Sequence, residues 1–543
     1  MQEILFPFLG GIGLFLIGMM LLSDGLTAFA SGTFKRALGQ YTGTPCRAFV
    51  SGTLVTALAQ SSTATTVTLI GFVSAGLIPF SQAIGVLIGA SLGNTVTGWI
   101  VACLGLKINL GFYTLPLIGL GALLKLLTRG RWAVLGMALV GFGLMFLGLN
   151  TLREGMQALS AMVSLADLPA GGFNERFMIM LFGLAMTIIL QSSSTAIATT
   201  LTALHAHTIN LDQAAALVVG AAIGTTFTGV LVTIGGTIYA KRTGLAYILF
   251  NAITGLFAIL LLPIYFSLVY YIGQYFSLQP GAISLAVFHS LFIAVGVVLF
   301  LPFTQQFAQI VERILPSRGE NITERLDDSM LAIPAVALEA SQRALEQVAD
   351  RLLDAYDQLL QRSLSSSWEQ QLTESGIVLD EIFIFVSRVH FPAGEGRWDS
   401  RRIAQLHAID HLLRLRSRIH DLFQAEINFS EPVYGWALEN SRCMLELARK
   451  GIAEKDLTAH MERIEHIAST LTNLSHQVRH DFLQTTAPGN SHAAAVLRTT
   501  DIFRWLNRTG NHIWRTCHYL SLGRNSGHFP AKVVENFQPD PDK

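Results

Sequence analysis

Residues 46–78 and 176–208 are two apolar stretches, each about 33 residues long, and each carries the same kind of polar cluster at its centre, Gln60-Ser61-Ser62-Thr63 and Gln191-Ser192-Ser193-Ser194. A membrane-spanning helix uses roughly 20 apolar residues. Each stretch is too long for one crossing and has too little turn chemistry for two full helices. A re-entrant hairpin with the polar cluster at its tip fits both limits, because irregular backbone at membrane depth survives only where protein or water satisfies it. Shifting the sequence by 131 lays one cluster on the other. The same shift places Gln82 on Gln213, Gly89-Ala90 on Gly220-Ala221, Gly93 on Gly224, and Thr95-Val96-Thr97-Gly98 on Thr226-Phe227-Thr228-Gly229. A shift of 130 lays Gly11, Gly13, Gly18, Asp24 and Gly25 on Gly141, Gly143, Gly148, Glu154 and Gly155. This many special residues in register mark an internal duplication.

Composition divides the chain. Of its 37 Lys/Arg and 37 Asp/Glu, only 11 and 6 precede Gln305. The charged share of the whole is 14%, against about 25% in soluble domains. Residues 1–304 therefore read as a membrane domain and the remainder as a charged, soluble part. Simple spans are expected at about 4–22, 108–127, 132–150, 243–262 and 283–303. The first, with no basic residue before it and no small-residue cleavage site, reads as a retained helix. Segments 80–104 and 211–239 are interrupted by Gly89–Thr95 and Gly220–Thr226 and are expected to be discontinuous helices. The run Ile264–Phe276 either crosses or lies in the interface, and Pro263, Pro280 and Pro302 are expected at span ends.

Each half, about 1–130 and 131–262, then holds three crossings and one hairpin that does not cross. An odd number of crossings inverts the second half, the plan of many secondary transporters, with the site near the bilayer midplane. Lys35, Arg36, Arg47, Lys125, Arg129, Arg131, Lys241 and Arg242 fall on one side of this topology, and Lys107, Arg153 and Arg176 on the other. The basic side is cytoplasmic by the positive-inside rule. The N-terminus is then outside and the C-terminal part cytoplasmic, in a cell (inner) membrane. From about Glu320 helical periodicity with dense charge takes over, with breaks near Ser365–Ser367, Phe391–Gly396 and Pro488–Asn490. This predicts an antiparallel helical bundle over 320–523, followed by a polar tail, 524–543. The expected fold class is all-α: a polytopic membrane protein of two inverted repeats, each with a re-entrant hairpin and a broken helix, followed by a soluble helical bundle.

Zero formal net charge gives no sign of nucleic-acid binding. The cysteines Cys46, Cys103, Cys443 and Cys517 show no metal-knuckle or disulfide spacing. No His-Glu-x-x-His, Asp dyad or Gly-x-Ser-x-Gly suggests an enzyme within the spans. His289 is an ionisable group inside a predicted span, without an acidic partner in the sequence. The hairpin cores carry no charge, yet they offer two kinds of ion ligand. Helix N-termini suit an anion. Hydroxyls, glutamine amides and freed carbonyls suit a hard cation. A divalent anion moving against an inside-negative potential costs about 4.6 kcal/mol per 100 mV, so co-bound cations are the simplest compensation.

Paired Gln-Ser-Ser-(Ser/Thr) hairpins, each followed by Gly-x-x-x-Gly-(Asn/Thr)-Thr-x-Thr, resemble the type II sodium/phosphate cotransporter family over residues 1–304. The resemblance implies sodium-coupled phosphate transport with no cofactor and sodium as the coupling ion. It implies a site made by Gln60, Ser61, Ser62 and Thr63 with Gln191, Ser192, Ser193 and Ser194, and secondarily by Asn94, Thr95, Thr225 and Thr226. Export, another oxyanion or dicarboxylate, and a passive anion channel stay open, as do sodium stoichiometry and oligomeric state, a homodimer included. The C-terminal part resembles the PhoU-like domains of bacterial members. There Glu346 and Asp350 form a Glu-x-x-x-Asp pair similar to a PhoU metal motif, beside the plainer reading of a solvated helix face. Such a bundle is a candidate for regulation and for phosphate-signalling partners.

Overall fold

A computed structural model describes residues 2–40, 42–107, 113–160, 171–233, 236–276, 281–316, 322, 326, 328–332, 334–391, 396–425, 429, 431–485 and 493–524. Among them all regular structure is helical. The chain forms two compact units, Met1–Arg318 and Gly319–Lys543.

In the first unit, α1 (Gln2–Gln40) leads to a helical hairpin of α2 (Pro45–Ala59) and α3 (Ser62–Ser74), then α4 (Phe80–Trp99) and α5 (Thr114–Leu127). The pattern then recurs as α6 (Arg131–Ser160), a hairpin of α7 (Phe173–Leu190) and α8 (Ser193–His205), and α9 (Leu211–Thr233). Helices α10 (Ile238–Phe276), α11 (Ala282–Phe300) and the amphipathic α12 (Thr304–Ile314) follow. Seven helical segments are long and apolar enough to cross a membrane: Leu5–Ala30, Phe80–Leu106, Arg131–Ala158, Phe173–Leu190, Leu211–Leu231, Ile238–Tyr271 and Ala282–Ile314. Exposed apolar side chains such as Leu54, Leu58, Phe182 and Ile189 suit a hydrocarbon solvent.

Three expectations need correction. The segments expected to break at Gly89–Thr95 and Gly220–Thr226 are continuous; α4 runs through to Trp99, where π-helical turns carry it to Lys107. Their glycines serve packing instead. A methyl group on Gly89 would strike Phe49 O and Thr53 N of α2, and one on Gly220 would strike Met180 O and Leu184 N of α7. Small residues of this kind let membrane helices approach closely. The span expected at 108–127 is α5, only 14 residues long, with 108–112 outside the described residues. Pro263, expected at a span end, lies inside α10, which continues to Phe276.

Helix α1 packs along α6, its repeat equivalent. Gly11, Gly18 and Gly25 of α1 face Leu152, Met145 and Ala138, so the helices run antiparallel. Gly18 meets Gly141, the repeat counterpart of Gly11. Gly148, the counterpart of Gly18, meets Gly11. Each helix thus uses on its partner the patch its partner uses on it, the mark of a two-fold relation. The same reciprocity recurs deeper. Gly98 lies against Ile197, and Gly229 lies against Thr66, positions that exchange under the 131 shift.

The second unit contains α13 (Pro334–Gln361), α14 (Trp368–Ser387), α15 (Gly396–Gln424), α16 (Gly435–Ala453), α17 (Met461–Thr485) and α18 (Ala493–Arg524). The expected breaks at Phe391–Gly396 and Pro488–Asn490 fall wholly or partly outside the described residues, as does nearly all of the tail at 524–543. Leu345, Val348, Leu352, Tyr356, Leu379, Leu412, Leu415, Met444, Ile464 and Leu506 form its buried core. Their helical spacing on α13 is the periodicity visible in the sequence.

Candidate substrate and ion site

Each hairpin turns at its glutamine. Gln60 and Gln191 stop α2 and α7 in the left-handed region, at φ 53° and 50°. The next residue starts the second helix as its N-cap: Ser61 Oγ accepts from Ala64 N and Ser192 Oγ from Thr195 N, both at 3.2 Å. Serine at this position satisfies an otherwise unpaired backbone donor. Even the far turns agree, with Gly76 and His207 both at positive φ. Each tip therefore brings together the C-terminus of one helix and the N-terminus of the next. The first presents carbonyls and the second presents amides.

The tips share one cavity of about 380 Å³. Gln60, Ser61, Ser62, Thr63, Gln191, Ser192, Ser193 and Ser194 all line it, together with Asn94 and Thr225. Hydrogen bonds tie the two halves across it. Asn94 Nδ2 donates to Ser193 Oγ at 3.2 Å. Ser194 Oγ donates to Thr97 Oγ1 at 3.5 Å, and Thr97 Oγ1 donates to Gln60 Oε1 at 2.9 Å. Tyr247 reaches Ser62 and Ser91 through its hydroxyl. Thr95 and Thr226 do not line the cavity. Their hydroxyls turn back to Leu92 O (2.8 Å) and Ile223 O (2.7 Å) of their own helices.

Sequence reasoning missed the wall contributed by α1. Leu16, Ile17, Met19, Met20, Ser23 and Asp24 line the cavity, and Asp24 is the charged group among its described lining residues. Thr187 and Leu190, at the end of α7, also line it. The α6 counterparts of the α1 residues do not, nor do Thr56 and Ala59, the counterparts of Thr187 and Leu190. A repeated Thr-x-Thr-Gly was the available signal for Thr97. The repeat of Thr56 at Thr187, four residues before each Gln-Ser-Ser, was the available signal for Thr187. His289 is buried away from the cavity, packed on Phe292 with ring centroids 5.5 Å apart.

In the second unit, Glu346 and Asp350 lie one turn apart on α13 but engage different partners. Arg524 and Gln342 hold the Glu346 carboxylate, and Arg449 Nε holds Asp350 at 2.9 Å. No group of three or more His, Cys, Asp or Glu placed to hold a metal occurs among the described residues.

Residues 14–154 and 150–316 each match the profile of the Na+/Pi-cotransporter family, one match for each half of the membrane unit. The chain is 32% identical over 318 residues to the uncharacterized protein YqeW of Bacillus subtilis (strain 168), covering 58% of this chain and 99% of that protein. It is 26% identical over 349 residues to YjbB of Escherichia coli (strain K12), provisionally named an inorganic phosphate export protein, covering 63% of this chain and 62% of that one. A 58-residue stretch is 43% identical to sodium-dependent phosphate transport protein 2A of Rattus norvegicus, covering 11% of this chain and 9% of that protein. No solved structure matches.

Proposed function

The chain belongs to the Na+/Pi-cotransporter family, and we propose that it is a sodium-coupled secondary transporter of inorganic phosphate that works by alternating access. One observation carries this reading: the N-termini of α3 and α8, one from each half, meet at a single cavity where both tips present hydroxyl and amide side chains. Unpaired amides and the positive helix ends attract an anion there. Phosphate is assigned to Ser61, Ser62 and Thr63 with Ser192, Ser193 and Ser194. Sodium is assigned to Gln60, Gln191 and the carbonyls their helix ends leave free, with Asn94 and Thr225 beside them. Two sodium ions cancel a divalent phosphate, and a third makes inward movement electrically downhill.

The reciprocal contacts of α1 with α6, and of Gly98 and Gly229 with the opposite hairpins, support an inverted repeat. The hairpins are then re-entrant, and the positive-inside rule supports an external N-terminus with the second unit cytoplasmic. That unit is assigned a PhoU-like regulatory role, as a surface for phosphate-signalling partners. A cation at Glu346 and Asp350 has to compete with Arg524 and Arg449. A homodimer suits the apolar faces of α2 and α7. Likeness to YjbB favours a second reading, export of phosphate by the same site.

Radiolabelled phosphate uptake into proteoliposomes, with and without an inward sodium gradient, tests the proposal. Sodium-driven uptake that is lost in a Ser192→Ala, Ser193→Ala double variant is expected. Uptake of sulfate or a dicarboxylate in place of phosphate overturns the substrate, and sodium-independent flux overturns the coupling.

A further inference from the structure

The two halves differ in one buried hydroxyl pair. In the first half, Thr56 on α2 donates to Thr65 Oγ1 at 2.9 Å, and both are buried. The 131 shift places Thr187 on Thr56 but Ala196 on Thr65. The backbone setting is otherwise shared: a Cβ on Gly93 would touch Thr56 Cβ at 2.9 Å, and one on Gly224 would touch Thr187 Cβ at 2.7 Å. Thr187 therefore keeps the position and loses the partner. Its residue is fully buried, its Oγ1 has no hydrogen-bond partner in the protein, and it lines the cavity beside Leu190 and Gln191. A buried hydroxyl without a partner is unfavourable, and of the unpartnered hydroxyls this one belongs to a residue on the cavity wall, where a bound ligand can satisfy it.

The nature of that ligand follows from where Thr187 sits. It belongs to the last turn of α7, which ends at Leu190. The last four carbonyls of a helix have no partner within it, and this end carries partial negative charge. An anion belongs at the opposite pole, on the amides of α8. A hard cation takes neutral oxygens such as hydroxyls and carbonyls.

We infer that Thr187 Oγ1, with the carbonyl end of α7, is a ligand of the coupling sodium ion, in a site the first half does not duplicate because Thr56 does not line the cavity and the Thr65 side chain packs against its hydroxyl. The assignment rests on the sodium-coupled reading above. It makes the sodium sites of the two halves unequal although their motifs are nearly identical.

The test is phosphate uptake by full-length protein in proteoliposomes, measured against sodium at saturating phosphate and against phosphate at saturating sodium. Thr187→Val removes the hydroxyl at nearly constant shape. It is expected to raise the half-saturating sodium concentration about tenfold or more, equivalent to about 1.4 kcal/mol of lost binding, while the phosphate KM stays within about twofold. Thr187→Ser is expected to restore sodium dependence, which a purely structural role of the methyl group would not allow. Ala196→Thr, which fills the space beside Thr187 as Thr65 fills it beside Thr56, is expected to weaken sodium dependence with Thr187 still in place. Thermal stabilisation of the purified protein by sodium reports binding without transport, and should fall in Thr187→Val. Unchanged sodium dependence in Thr187→Val, or a change confined to the phosphate KM, overturns the assignment while leaving sodium coupling standing. Sodium-independent uptake by the unsubstituted protein removes both.

Discussion

At the residue scale, the glutamines show how the chemistry and the backbone of the site are joined. A left-handed residue with a side chain costs roughly 1–2 kcal/mol, and strain of this kind tends to gather at functional sites. Gln60 is held there partly by its own amide, whose Oε1 accepts from Thr97 on α4. The sequence shows the glutamine and its repeat, but not the left-handed turn, because glutamine has no preference for it. Histidines of the second unit make a second residue-scale case. His411 and His512 lie with ring centroids 5.6 Å apart, and burial lowers the pKa of each to about 4, reinforced on His411 by Arg515 and on His512 by His411 and then Arg515. Arg414 adds to this on both, and Arg418 on His512, while Asp410 opposes it on His411. Both therefore stay neutral in the folded unit at pH values where the unfolded chain binds protons. Stability from this pair is full above about 6.5 and is lost as pH falls from there towards 4. The protection factors of α15 and α18 amides in the whole protein, referred to the intrinsic exchange rate at each pH, should fall over that window. A His411→Gln, His512→Gln variant should show a flatter profile, and an equal slope in both proteins would refute the linkage.

At the element scale, helix approach decides stability in the membrane unit, because lipid supplies no hydrophobic drive between helices. The glycines are not equivalent in this respect. Gly18 packs on Met145 and Gly141, whereas Gly13 has nothing within 4 Å of the place a Cβ would occupy. Gly18→Leu should lower the melting temperature of the detergent-solubilised protein by several degrees, the scale of an overpacked core at about 1–3 kcal/mol. Gly13→Leu should leave it nearly unchanged. Equal effects would mean that α1 and α6 do not meet through this seam. Both glycines take part in the sequence repeat, so the pattern alone does not separate them. The same ambiguity makes Gly89–Thr95 resemble a helix break in the sequence. Glycine marks either a break or a close approach, and only the neighbouring helix distinguishes the two.

At the scale of the whole molecule, the cavity is less symmetric than the chain that builds it. It is walled by α1 from Leu16 to Asp24, while the α6 counterparts, Phe146 to Glu154, are not on its wall. Under the alternating-access proposal, exchange of the two halves' conformations replaces the first wall by the second. Asn150 and Arg153 then stand where Met20 and Ser23 stand now. With Cys46 replaced by Ser, Met20→Cys and Asn150→Cys should react with a membrane-impermeant thiol reagent from opposite sides of the vesicle, and sodium with phosphate should change the two rates in opposite directions. Labelling of both from one side would refute the exchange. The sequence by itself determined the duplication, the hairpins and the polar tips, because each leaves a periodic or repeated trace in residue type. Only the tertiary structure decided that α4 and α9 are unbroken, that α1 walls the cavity and that Thr187 is unpartnered while Thr56 is not. Those outcomes depend on which helix faces which, and packing neighbours leave no local mark in the chain.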